Sequence, residues 1–219
     1  MPRLDNLRAN PVGTADAQSY LLDARGGPSN LVDLQGNPSQ AGLIARGGPV
    51  SLFDGPVQND VQRIRIRDAA AGSNPDYFYP WKPSGVGYVD VPADAPRGTV
   101  VATPAMNGCS VEVRDMGDGN LRFYHDDDGN KMKALMPNEG GTSVTRIDYR
   151  GYTSTRAGER LTKDMRDGTA FAHQILFIKD VERWRAVNHG VLIGPGLETP
   201  AKQSYPESST ANLTSFGAR

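Results

Sequence analysis

The stretch "CSVEVRDMGDGNLRFYH", Cys109 to His125, decides how this chain is read. Two runs of alternating apolar and polar residues flank "DMGDG", a five-residue loop whose two glycines suit a hairpin turn. Centring the turn on Gly117 sets Cys109 opposite His125, Val111 opposite Phe123, Glu112 opposite Arg122 and Val113 opposite Leu121. One face then carries Cys109, Val111, Val113, Leu121, Phe123 and His125. The other carries Ser110, Glu112, Arg114, Arg122 and Tyr124, with Glu112 and Arg122 as a cross-strand charge pair. A slip of one residue would turn the apolar set outward, so the pattern fixes which face is buried.

Similar signals extend outward from the hairpin. "DVQRIRIRD" (Asp60 to Asp68) alternates as a half-exposed strand. "DYFYPWKPSGVGYVDVP" reads as strand, turn and strand, and "GTVVATPA" as a short buried strand ending at Pro104. "TSVTRIDYRGY" reads as a further strand, and "FAHQILFIKDVERWRAVNHGVLI" as two strands with a turn near Asp180 to Glu182. The spacing predicts a helix over Ser154 to Asp167, stopped by Gly168. Strands therefore dominate, and the expected fold class is α+β: a mixed, mostly antiparallel β-sandwich core with few flanking helices.

Residues 1–75 differ in texture. They are rich in Gly, Pro, Asn and Asp, and they carry a repeat, "ARGGPSNLVD" (Ala24 to Asp33) and "ARGGPVSLFD" (Ala45 to Asp54). Two copies are too few for a solenoid. Turn-plus-strand units, or an arm laid along the main domain, are expected instead. The chain thus divides into a Gly/Pro-rich region at 1–75 packed on or extending from the core, a core at 76–196 and a polar, fraying tail at 197–219.

The 219 residues suffice for one medium domain. With 24 Lys+Arg against 25 Asp+Glu the net charge is -1, which argues for neither nucleic acid nor an anionic membrane as partner. A single cysteine forms no internal disulfide. "MPRLDNLRANPVG" lacks the apolar segment of a Sec signal. A soluble monomer, cytoplasmic in the producing cell, is expected, and export into a target cell would take another route.

Directly opposed residues in a hairpin have Cβ atoms about 4.5–5.5 Å apart. In the expected register, thiol and imidazole come within bonding reach. Two readings stand: Cys109 is a small buried hydrophobe, or it is a nucleophile whose proton His125 takes. "HDDDGNK" fails the EF-hand spacing, with Lys131 where the loop needs Gly and Pro137 where it needs Glu, so a solvated turn is expected. A matching register in the last strand pair would bring His173 near His189, a poor zinc site without thiolate or carboxylate, and His173 is read as a core histidine. No metal or cofactor is expected.

At "TPAMNGC…FYH" the sequence resembles the cysteine–histidine glutamine deamidases, a group that includes the cytotoxic necrotizing factor toxins, the Burkholderia lethal factor type and the chemoreceptor deamidases. Thr103 stands six positions before Cys109 and His125 sixteen after it, and "YPWKPSG" is similar to a segment preceding the catalytic strand in the Burkholderia lethal factor type. The likeness covers about 80–125. Asn107 stands where those toxins often carry Ser. The resemblance implies a bacterial toxin or effector that deamidates glutamine in a target-cell protein. Cys109 would be the nucleophile, His125 the base, and Thr103 the residue that holds the imidazole. Gly108 and Asn107 would support the oxyanion, with Gly108 leaving room for close backbone approach, and Trp81 would contact substrate. A thiol peptidase or transglutaminase with the same pair, and a non-catalytic binding module, are the rival readings.

Overall fold

The computed structural model describes residues 3–32, 42–152, 170–193, 200–204 and 210–217. The helix expected over Ser154 to Asp167 lies outside these residues. Helices α1 (Arg3–Ala9) and α2 (Pro11–Ala17) lead into β1 (Ser19–Asp23) and the one-turn α3 (Ser29–Val32). Six strands follow: β2 (Ile44–Arg46), β3 (Gly48–Gln58), β4 (Val61–Asp68), β5 (Asp76–Phe78), β6 (Val86–Pro92) and β7 (Val100–Ala102). The central hairpin is β8 (Ser110–Asp115) and β9 (Asn120–Asp126), followed by α4 (Lys131–Leu135), β10 (Thr142–Ile147) and α5 (Tyr149–Tyr152). The chain closes with β11 (Ala170–Lys179), β12 (Trp184–Ile193), β13 (Pro200–Ser204) and β14 (Thr210–Phe216).

These strands form two mixed sheets. The larger runs β1-β4-β3-β5-β7-β11-β12-β13, with β14 also on β12, and the smaller runs β10-β8-β9-β6-β2. Among the described residues, only β1/β4, β5/β7 and β2/β6 pair in parallel. The fold is mostly-β α+β, as the alternation predicts.

The sheets meet face to face. Val89 and Val91 of β6, Val111 and Val113 of β8 and Phe123 of β9 pack against Ile175 and Phe177 of β11 and Trp184 of β12. Phe123 meets Phe177 and Trp184 edge-on, with ring centroids 5.2 and 5.4 Å away, the geometry aromatic quadrupoles favour. Burying each such side chain contributes about 1.5–3 kcal/mol. The hairpin's apolar face is thus half of the inter-sheet core.

The far face of the large sheet is covered by α1 and α2. Leu4, Leu7 and Ala15 pack on Tyr20, Leu52, Ile64, Ile66 and Leu176. Arg8 of α1 reaches the buried Asp76 carboxylate (2.7 Å), which also accepts the Leu52 and Val100 N–H groups. The first 75 residues therefore contribute β1, β3 and β4 to the large sheet and β2 to the small one.

The two ARGGP copies fold differently. The first ends in α3, while the second is a strand that changes sheets between β2 and β3. Gly47 sits at that change, where an added Cβ would lie 1.9 Å from the Phe78 carbonyl oxygen. Leu31 and Leu52, equivalent in the repeat, both enter the same core cluster. At the other terminus the expected fraying gives way to pairing: β14 lies on β12 and Phe216 is buried among the inter-sheet aromatics.

Candidate active site

Three segments carry the expected residues: Thr103 and His125 are in contact, whereas the Cys109 thiol lies against Asp127 and makes no hydrogen bond with His125 Nε2. Thr103 follows β7 directly, Cys109 immediately precedes β8, and His125 lies near the end of β9. Thr103 Oγ1 is 2.7 Å from His125 Nδ1, and both residues are buried. The Thr103 carbonyl accepts from Gln174 Nε2 (2.8 Å), and Gln174 Oε1 accepts the Leu22 N–H (2.9 Å). The Thr103 backbone is thereby tied to β11 and β1. Tyr79 meets the imidazole edge-on, with ring centroids 6.4 Å apart. His125 Nε2 is buried and makes no hydrogen bond.

The register differs from the expected one by two residues. Val111 pairs with His125, Val113 with Phe123 and Ser110 with Asp126. The loop is one residue shorter than expected, Met116 to Gly119, closed by the Met116 N–H on the Asn120 carbonyl. A two-residue slip preserves facing, so Cys109 and His125 remain on one face as diagonal neighbours. Such neighbours stand about 7–8 Å apart, within reach of longer side chains. The expected Glu112–Arg122 pair is replaced. Glu112 binds Arg114 and Arg146, while Arg122 binds Asp90 and Glu139.

The turn carrying Cys109 is fastened from β11 and β12. Met106 and His173 exchange backbone hydrogen bonds of 2.8 Å in both directions. Tyr152 donates its hydroxyl to the Cys109 carbonyl (2.7 Å), and the Tyr152 carbonyl accepts from Asn188 Nδ2 (3.0 Å). Asn188 Oδ1 lies 3.1 Å from His173 Nδ1. His173 and His189 point to opposite sheet faces: His173 pairs with Gly190, and His189 meets Tyr20 at a tilt. Nothing in the sequence signalled Tyr152, whose stretch reads as strand.

Asp127 completes the surroundings. Its Oδ1 is 4.0 Å from Cys109 Sγ and accepts Trp81 Nε1–H at 2.6 Å; its Oδ2 accepts the Ser84 N–H at 2.8 Å. The predicted solvated turn is thus partly structural, because Asp126 is buried and caps α4 through the Lys131 and Met132 N–H groups. Trp81 is half-buried against the inter-sheet core. Asn107 and Gly108 are exposed beside the thiol. Gly108 has φ +101° and open space where a Cβ would stand. Its glycine is explained by backbone conformation, not by the close approach expected.

Electrostatically the resting site is quiet. Cys109 is only 6% exposed. Burial, then the Asp127 charge, pushes its thiol up to about 12, against a favourable Asn107 backbone N–H. Burial pushes His125 down to about 3. Thiol and imidazole are both neutral at physiological pH. Two cavities, of about 440 and 520 Å³, lie beside α1 and α2 and contain none of these residues. Among the described residues no cluster of three His, Cys, Asp or Glu could hold a metal.

Residues 82–170 match the family model described as the Mcf1 activator-binding domain. The match runs from the turn after Trp81 to the start of β11, less than half of the chain, and includes Thr103, Cys109, His125 and Asp127. No curated protein matches the chain.

Proposed function

We propose that this chain is a thiol amidase acting on protein glutamine, with Cys109 as nucleophile, His125 as base and Thr103 as the group that orients the imidazole. The observation that supports it is the buried 2.7 Å contact between Thr103 and His125, on the sheet face that also carries Cys109. With Nδ1–H donated to Thr103 Oγ1, Nε2 presents its lone pair toward the inter-sheet face. A lone charge on either group is disfavoured by burial. Moving the proton from Sγ to Nε2 creates both charges together, and each offsets the other's desolvation.

The sulfur then attacks the carboxamide carbon. An S–C bond forms, the tetrahedral oxyanion is met by backbone N–H groups at Gly108 and Cys109 with Asn107 beside them, and collapse breaks the C–N bond. Nitrogen leaves as ammonia, taking the proton from Nε2. Water, deprotonated by His125, cleaves the thioester to give glutamate and restore the thiol. An amine in place of water would give transglutamination. Substrate reaches the buried sulfur over the exposed Asn107–Gly108 turn and past Trp81, and the substrate would be a target-cell protein bearing a reactive glutamine.

A second reading is supported by the family match. The matched family is described by its binding of an activator, and on that reading residues 82–170 dock a protein partner without chemistry. Treating target-cell lysate with wild type and Cys109→Ser separates the two. Ammonia release with intact substrate backbones, seen only with wild type, supports the deamidase. Backbone cleavage would make the enzyme a peptidase, and no chemical change across the lysate would leave the binding module.

A further inference from the structure

Asp127 is an unusual neighbour for a nucleophile. A carboxylate 4.0 Å from the sulfur opposes formation of the thiolate. It is also held in place: Trp81 and the Ser84 N–H each donate to one of its oxygens, and its own N–H donates to the Gly85 carbonyl at 3.2 Å. Among the described residues no Lys, Arg or His forms an ion pair with it. A carboxylate has about four acceptor positions; Trp81 and Ser84 occupy two, and the Cys109 thiol faces a third, which it releases when its proton leaves. Half-buried and facing Cys109, it keeps acceptor capacity directed at whatever the sulfur attacks.

We propose that Asp127 is the specificity-determining residue of this site, accepting hydrogen bonds from the N–H2 of a carboxamide placed against Cys109 and turning away a carboxylate. The inference rests on the amidase reading and deepens it. Glutamine brings two N–H donors to the Asp127 oxygens, whereas glutamate brings a second negative charge into a partly desolvated space. The same carboxylate therefore selects the substrate, expels the acid product and disfavours the reverse reaction. The cost to the thiol is the consequence of placing that selector beside it.

Two alkylating reagents of nearly equal size carry this distinction: iodoacetamide ends in a carboxamide and iodoacetate in a carboxylate. Their rates at Cys109, read by intact mass, give a ratio to be compared with the ratio for the same chain unfolded in denaturant. The native ratio of amide to acid should exceed the unfolded ratio at least tenfold. Asp127→Asn should bring it to within about threefold of the unfolded value, while Asp128→Asn, which removes the exposed carboxylate next in the chain and keeps Asp127, should retain it. A native wild-type ratio equal to the unfolded one overturns the proposal without any variant, and so does an unchanged ratio in folded Asp127→Asn. His125→Phe tests the underlying chemistry separately. It should slow both reagents alike and leave the ratio intact, so loss of the amidase reading and loss of the Asp127 role give different results.

Discussion

At the scale of single residues, Thr103 is where structure and proposed chemistry meet. Thr103→Val keeps the shape and removes the hydroxyl, leaving His125 Nδ1 buried without a partner. Such a loss costs about 1–3 kcal/mol, so urea melts should show destabilisation of that size, and Thr103→Ser should recover most of it. Alkylation of Cys109 should follow the same order, slowest in the valine variant. The face shared by Cys109 and His125 was legible, because a strand's side-chain period of two separates inward from outward residues. Their register was not, since a slip of two residues leaves every facing unchanged. That slip places Asp127, rather than His125, nearest across from Cys109. Its importance was hidden because three consecutive aspartates read as a solvated turn, while in the fold Asp126 caps a helix, Asp127 binds Trp81 and only Asp128 is exposed.

At the scale of elements, the change of sheet at Gly47 shows what local pattern omits. The same ARGGP motif ends in a helix turn once and a strand the second time, because the second copy is pinned between β6 and β5. The Gly47 N–H donates to the Tyr88 carbonyl, and the backbone at Phe78 and Tyr79 fills the space a side chain would need. Gly47→Ala should therefore destabilise the fold by about 3 kcal/mol, at the upper end of overpacking costs, as read from the denaturation midpoint. Gly140→Ala serves as its contrast, as nothing lies near that position and its φ is not in the left-handed region, and should lose less. Strands such as β4 and β8 announce themselves by alternation, and β11 by an apolar run buried on both faces. The parallel partners β1/β4 and β2/β6 do not, because pairing across long loops is decided by the assembled core.

For the whole molecule, the division at residue 75 dissolves into two sheets that both draw strands from the N-terminal region, with α1 and α2 closing the far face. Burial of all three histidines has a global consequence. His125 and His189 are held down to about 3 and His173 to about 4, each mainly by desolvation of its charged form. Below the unfolded value near 6.5 the unfolded chain takes up protons that the native chain refuses, so stability falls as pH falls. Each histidine then removes about 1.4 kcal/mol per pH unit, down to its own folded value. Thermal melts should be nearly flat from pH 7 to 8 and drop steeply from about pH 6.5 toward 4. His189→Phe, far from Cys109, should make that drop shallower. The most direct measurement of the central claim is the rate of Cys109 labelling by iodoacetamide at pH 7, followed by intact mass in wild type and in His125→Phe, which keeps the ring volume and removes its nitrogens. A fall of at least tenfold, in line with general-base contributions of about 10²–10⁴, is predicted. Equal or faster labelling in the variant would mean that His125 does not take the thiol's proton.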